Sequence, residues 1–199
     1  MQMILTLFNG MEDRDAIVAI NQSSLLLCLS RSLSYGPLSS WSKLLLCIPE
    51  FYGHALTVTI RSVSELVLDP GGNRLEIYPT PRLIAIKDVL GPSRSKVEET
   101  PDGSVRIPFL RIRNNTPERI VICESLLSSA FWLPAGEEVL LDCIDPASDS
   151  TTLAFEGYHD GHLFFGLDDY TTLQIAEEHL EKVRSWGVPP GLGEFWESP

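Results

Sequence analysis

The densest group of side chains able to hold a metal ion is His159-Asp160-Gly161-His162. Asp-Gly suits a two-residue hairpin turn, which would make His159 and His162 a closing cross-strand pair with both imidazoles on one face. Two imidazoles can begin a zinc-type site, but a stable one takes three or four ligands, and Glu156 or His179 would have to complete it. Such a site would suit a metal-dependent hydrolase; the plainer reading is a polar turn with Asp-Gly at its tip. Cys47 and His54 would form a thiol–imidazole dyad only if hydrogen-bonded, with a third group orienting the ring. Cys47 stands in the apolar run Leu44-Leu45-Leu46-Cys47-Ile48, which disfavours the reactive thiolate. The carboxylate pairs Glu137-Glu138 and Asp168-Asp169 could exchange protons if buried together, but turns normally leave such charges solvated.

No nucleophile elbow, phosphate loop, dinucleotide fingerprint or HExxH occurs in the chain. No catalytic residue and no cofactor is assigned. Gly191-Leu192-Gly193 has neither a strand before it nor a helix after it, so it is no phosphate cradle. Asn21-Gln22-Ser23 and Asn114-Asn115-Thr116 are formal glycosylation sequons, read here as turns.

The elements that must position these groups are mostly strands. Leu27, Leu29, Leu33 and Tyr35 share one parity and Ser30, Ser32 and Ser34 the other, the period of a half-buried strand. Ile17 to Ile20 is a short strand before it. Residues 37–53 fit a helix or a strand. Leu56, Val58 and Ile60 alternate with Thr57, Thr59 and Arg61. Leu66 to Leu68 and Leu75 to Tyr78 flank Asp69-Pro70-Gly71-Gly72-Asn73 and read as a hairpin; Leu83 to Leu90 forms another strand. After the polar segment 91–104 come short strands at Val105 to Ile112 (with a bulge or an edge position at Pro108), Ile120 to Ile122, Ala130 to Leu133, Val139 to Ile144, Thr152 to Phe155 and His162 to Leu167. At the end, Thr171-Thr172-Leu173-Gln174 fits a capping box, and Leu173, Ala176, Leu180 and Val183 recur at helical steps. Gly187 and Pro189-Pro190 stop that helix.

The expected fold is mainly β (α+β): antiparallel β-sandwich or barrel-like sheets with a C-terminal amphipathic α-helix. Residues 1–199 form one domain, or two intimate lobes, 1–95 and 105–199, joined by 91–104. No internal repeat is evident. A chain of 199 residues can bury a core without staples. Cys28, Cys47, Cys123 and Cys143 each sit in or beside an apolar stretch and form no CxxC pair. They read as buried free thiols of a cytoplasmic protein, with one or two disulfides in an exported chain as the alternative. The N-terminus has no basic region ahead of its short apolar run, which argues against a secretory signal.

Charge is unevenly placed. Residues 1–115 hold 12 Lys and Arg against 11 Asp and Glu, and residues 116–199 hold 3 against 16. An oriented negative field repels nucleic acid and anionic membrane and draws in a basic surface. The expectation is therefore a non-catalytic module for a basic protein partner, binding neither nucleic acid nor membrane. In size, acidity and lack of catalytic signatures the chain is similar to immunity and inhibitor proteins that neutralise a cationic toxin or nuclease. Glu137, Glu138, Asp168, Asp169, Glu177, Glu178 and Glu181 would supply the charge. Trp186, Phe195 and Trp196, with Trp132, would supply aromatic anchors. A scaffold role through Phe195 and Trp196 is the remaining alternative.

Overall fold

The computed structural model describes residues 3–11, 13–21, 26–31, 43–48, 54–78, 106–124, 129–144, 150–157, 163–169 and 172–194. The expected strand at Leu83 to Leu90, the segment 91–104, His159, His162, Phe195 and Trp196 lie outside these residues.

The first half of the chain supplies β1 (Met3–Asn9), β2 (Ala16–Ile20), β3 (Leu26–Leu29), β4 (Lys43–Ile48), β5 (Leu56–Ser62), β6 (Glu65–Asp69) and β7 (Glu76–Tyr78). The second supplies β8 (Arg106–Asn114), β9 (Ile120–Glu124), β10 (Ser129–Leu133), β11 (Glu138–Ile144), β12 (Ser150–Gly157), β13 (Leu163–Asp169) and β14 (Thr172–Ile175). Helix α1 (Glu177–Trp186) and the two-residue strand β15 (Gly193–Glu194) follow. The protein is thus mostly β with one described helix near the C-terminus, and the ambiguous stretch around residue 45 is a strand. Among the described residues the sheets form no closed barrel. They are mixed rather than purely antiparallel, because β1–β12, β2–β6, β5–β8, β9–β13 and β10–β15 run parallel.

One sheet has eight strands in the order β15-β10-β9-β13-β12-β1-β4-β7; the other has seven, β14-β11-β8-β5-β6-β2-β3. Alternate residues of both sheets meet in one core, with Leu7, Leu46, Ile122 and Phe131 from the first and Val58, Leu66, Ile112 and Leu141 from the second. The period of two seen in the sequence is this inward face.

The two halves repeat one topology. Adding seven to each strand number turns β3-β2-β6-β5-β8-β11-β14 into the order β10-β9-β13-β12-β1-β4-β7, counting on cyclically from β14 to β1. The parallel or antiparallel sense of every pairing is kept. With the two-residue β15 set aside, each sheet therefore takes three strands from one half and four from the other, so the halves share both sheets. This corrects the expectation of no internal repeat.

An asparagine anchors each copy of the motif. Asn9 ends β1; its amide donates to the carbonyls of Arg14 and Leu29 at 3.1 and 2.9 Å, and its Oδ1 accepts from the Met11 N–H. Asn114 ends β8; its amide donates to the carbonyls of Glu118 and Leu133 at 2.8 and 2.9 Å, and its Oδ1 accepts from the Thr116 N–H and hydroxyl. Both are fully buried. Each ties a strand of one sheet to the chain crossing into the other, satisfying backbone groups that neither sheet can pair. Asn114 is consequently structural, with its amide engaged inside the protein, whatever its sequon suggests.

Two local readings are revised, and the one at Pro108 is narrowed to the first of its two alternatives. The turn at residues 69–73 forms, with Gly71 and Gly72 at φ 63° and 89° and the Asn73 amide donating to the carbonyls of His54 and Pro70. However, β6 pairs with β2 and β5 whereas β7 pairs with β4, so the turn is a crossover between sheets and not a hairpin. At Pro108 the β8–β11 register slips between Leu141 and Asp142. This is a bulge on an interior strand, since β8 lies between β11 and β5. Finally, Thr172–Ile175 is strand β14 paired with β11, so no capping box forms. Helix α1 starts after Ala176 with no side-chain cap. Leu173 and Ile175 bury in the core from the strand, and that tertiary pairing outweighs the local preference. Gly187 does end the helix, at φ 78°, with its N–H donating to the Arg184 carbonyl.

Candidate functional site

The acidic residues singled out in the sequence fall into three groups. The first is neutralised by this chain's own cations. Glu138 opens β11 directly opposite Arg113 of β8. Its Oε1 accepts from Arg111 Nη1 at 2.5 Å, and its Oε2 from Arg113 Nε and Nη2 at 2.9 and 2.5 Å. Burial works to raise the Glu138 pKa, but the hydrogen bonds from Arg113 and Arg111, with their charge, overcome it and hold the group below the usual carboxylate range. Glu137 pairs with Lys182 of α1, and Glu181 with Arg184 at 2.7 Å.

The second group is exposed and acidic. Glu177 and Glu178 occupy the first turn of α1, where carboxylates complement the helix dipole. Neither makes an ion pair among the described residues. Asp142, half-buried on β11, belongs with them. Its pKa is raised first by burial and then by the charge of Glu178, while Arg106 and His179 oppose the shift. His179 Nδ1 is buried and has no hydrogen-bond partner among the described residues.

A pH dependence follows. Because the folded-state pKa of Asp142 lies above its ordinary 3.8, the ionised group weakens the fold above that folded pKa, and the penalty disappears as pH falls toward the ordinary value. Asp142→Asn is expected to stabilise the protein by about half a kcal/mol at pH 7, after allowing for solvent screening. At pH 3 it should be neutral. Urea denaturation at the two pH values measures the difference.

The third group has backbone placement only. Asp168 and Asp169 close β13 opposite Thr152 and Thr151 of β12; Glu156 lies in β12, opposite Phe164. The proposed His159–His162 metal pair falls outside the described residues. Among those described, no cluster of three His, Cys, Asp or Glu is placed to hold a metal ion.

Trp186 is partly buried and joins both the main core and a second apolar cluster of Val121, Cys123, Ala130 and Trp132 on the outer face of the eight-stranded sheet. The Lys182 ammonium sits 5.5 Å from its ring centre. Trp132 is buried there, with the Arg119 guanidinium 3.9 Å above it. Two of the three tryptophans expected to anchor a partner, Trp132 and Trp186, are thus engaged in internal packing, and the third, Trp196, lies outside the described residues. Cys47 and Cys123 are buried thiols as expected, whereas Cys28 is exposed, because its β3 position faces outward. His54 is exposed.

No described helix is long and apolar enough to cross a membrane. No protein-family model, curated protein or solved structure matches the chain.

Proposed function

We propose that the protein is a non-catalytic binding module whose acidic C-terminal half engages a basic protein partner, in the manner of an immunity or inhibitor protein facing a cationic toxin or nuclease. The supporting observation is the crowding of negative charge at the start of α1. Exposed Glu177 and Glu178 are adjacent in the first turn, and the Glu178 charge helps to push up the carboxyl of the half-buried Asp142. Like charges held together at a surface are relieved by an incoming cation, and that relief favours a basic partner. Glu137, Glu138 and Glu181, already paired with cations of this chain, contribute less than the sequence suggested. The binding surface accordingly centres on Glu177 and Glu178.

The test is co-purification of the native chain with its partner, followed by measurement of affinity against salt. A basic partner is expected, with affinity falling steeply as ionic strength rises. The charge reversal Glu177→Lys with Glu178→Lys is expected to weaken binding about tenfold or more, mainly through the association rate. A partner that is not basic, or an affinity insensitive to both salt and reversal, would remove the proposal.

A further inference from the structure

The internal repeat identifies an uncovered surface by comparison with its covered counterpart. In the second half, Val121 pairs with Trp132 and Cys123 with Ala130 across β9 and β10. Trp186 and Leu192 cover this set, and β15 pairs alongside β10. The same topological positions in the first half are Ile17 opposite Cys28 and Ala19 opposite Leu26, across β2 and β3. Among the described residues they have no such cover. Leu26 is 67% exposed and Ile17 39%, and together with Val63 these are the exposed large hydrophobic residues of the described chain. Strand β3 ends its sheet. Its residues Leu26, Leu27, Cys28 and Leu29 include no lysine or proline, and its register with β2 has no bulge, so it lacks the devices that ordinarily block strand addition.

Electrostatics selects the occupant. Each chain carries a net charge of -12, so two copies repel except where charge is balanced. The second half of the sequence is strongly acidic, but around this face charges are near balance: Asp13 pairs with Arg14 and Arg61 with Glu65, while Asp15 and Arg31 add one charge of each sign. This is the part of the molecule that a second acidic copy can approach.

The geometry points to β3 as the edge of a homodimer. Two copies pair their β3 strands antiparallel about a twofold axis, joining the seven-stranded sheets and setting Leu26 and Cys28 of each against those of the other. Such an isologous contact closes on itself and ends growth at two chains. Leu26 and Cys28 lie on the outer face, and strands joined in one sheet match outer residues with outer residues. The axis therefore passes beside Leu27 or Cys28. Either register brings the two Cys28 side chains within about 8 Å, by the cross-strand and diagonal spacings of a sheet.

Sedimentation equilibrium of the full chain, with a short bismaleimide cross-linker in parallel, tests this. The expected species is a pair of 22.1 kDa chains that cross-links through Cys28. Leu26→Glu is expected to raise the dissociation constant by roughly 100-fold, since it places a charge in the buried contact. At a site so exposed it should leave the far-ultraviolet spectrum and the thermal melt of the monomer unchanged. Cys28→Ser should stay dimeric and lose the cross-link. A wild-type chain that remains monomeric at high concentration overturns the proposal. If Cys28 in that monomer resists maleimide, the chain itself covers the face; if it reacts freely, the face belongs to another partner or to none. A dimer that survives Leu26→Glu, or that cross-links without Cys28, also overturns it.

Discussion

Asn114→Ala and Asn9→Ala should each lower the unfolding free energy by about 2–3 kcal/mol, and by similar amounts. Truncating Asn114 removes the Asn114 partner of the Leu133 carbonyl and the Thr116 N–H, while the Glu118 carbonyl keeps the Thr116 hydroxyl as a donor. Truncating Asn9 removes the Asn9 partner of the Arg14 and Leu29 carbonyls and the Met11 N–H. A buried group left unsatisfied costs about 1–3 kcal/mol, and the exposed members recover part of that from water. Alanine at the neighbouring exposed Asn115 should change stability by less than about 0.5 kcal/mol. Urea denaturation of the three variants, with unchanged slopes, makes the comparison. Widely unequal costs for Asn9 and Asn114 would mean that the two halves share connectivity without sharing a working joint.

The second large effect is an asymmetry between matched positions. Trp132→Ala is expected to cost about 3–5 kcal/mol, the range for removing a buried aromatic side chain. Trp132 also supports Trp186 and Leu192 and lies under Arg119, so its loss loosens the C-terminal cover. Cys28 occupies the same place in the other half, opposite Ile17 as Trp132 is opposite Val121, yet it is exposed. Cys28→Ala should change the stability of the monomer by less than about 0.5 kcal/mol. The measurement belongs at low micromolar concentration or below, so that self-association does not contribute. A comparable loss at both positions would mean that the β3 face is covered within a single chain.

Much of the strand pattern was legible along the sequence. Leu56, Val58 and Ile60 alternate with polar neighbours because one side of β5 faces the core, and all three are buried. The slip at Pro108 was visible because a residue without an N–H cannot continue a regular ladder, and Gly187 because a left-handed C-terminal position favours glycine. The turn at Asp69 to Asn73 was visible too, but its role was not. A turn fixes how the chain reverses, while the sheet each arm joins depends on distant strands. The capping box failed for a related reason: Leu173 and Ile175 found a partner in β11 that no local rule could supply.

The candidate site was less legible. The acidity of the second half is a plain count, but nothing local says that Glu138 will stand opposite Arg113, 25 residues earlier in the chain. The repeat left one short trace, Leu5-Thr6-Leu7-Phe8-Asn9 against Leu110-Arg111-Ile112-Arg113-Asn114. Alternating aliphatic residues ending in asparagine are common enough that this trace does not stand out without the matched hydrogen bonds.

The sequence by itself determined that the chain is built of short strands, where most of them lie, where the helix ends, and which half carries the negative charge. These depend on neighbours within a few residues, where periodicity and backbone preference act directly. Only the tertiary structure decided which strands pair, that the two halves exchange strands through both sheets, which carboxylates meet a cation, and that of two equivalent faces one is covered by Trp186 and Leu192 while Ile17 and Leu26 of the other are exposed. Those outcomes depend on side chains brought together from far along the chain, and a one-dimensional pattern does not say which of many compatible partners will meet.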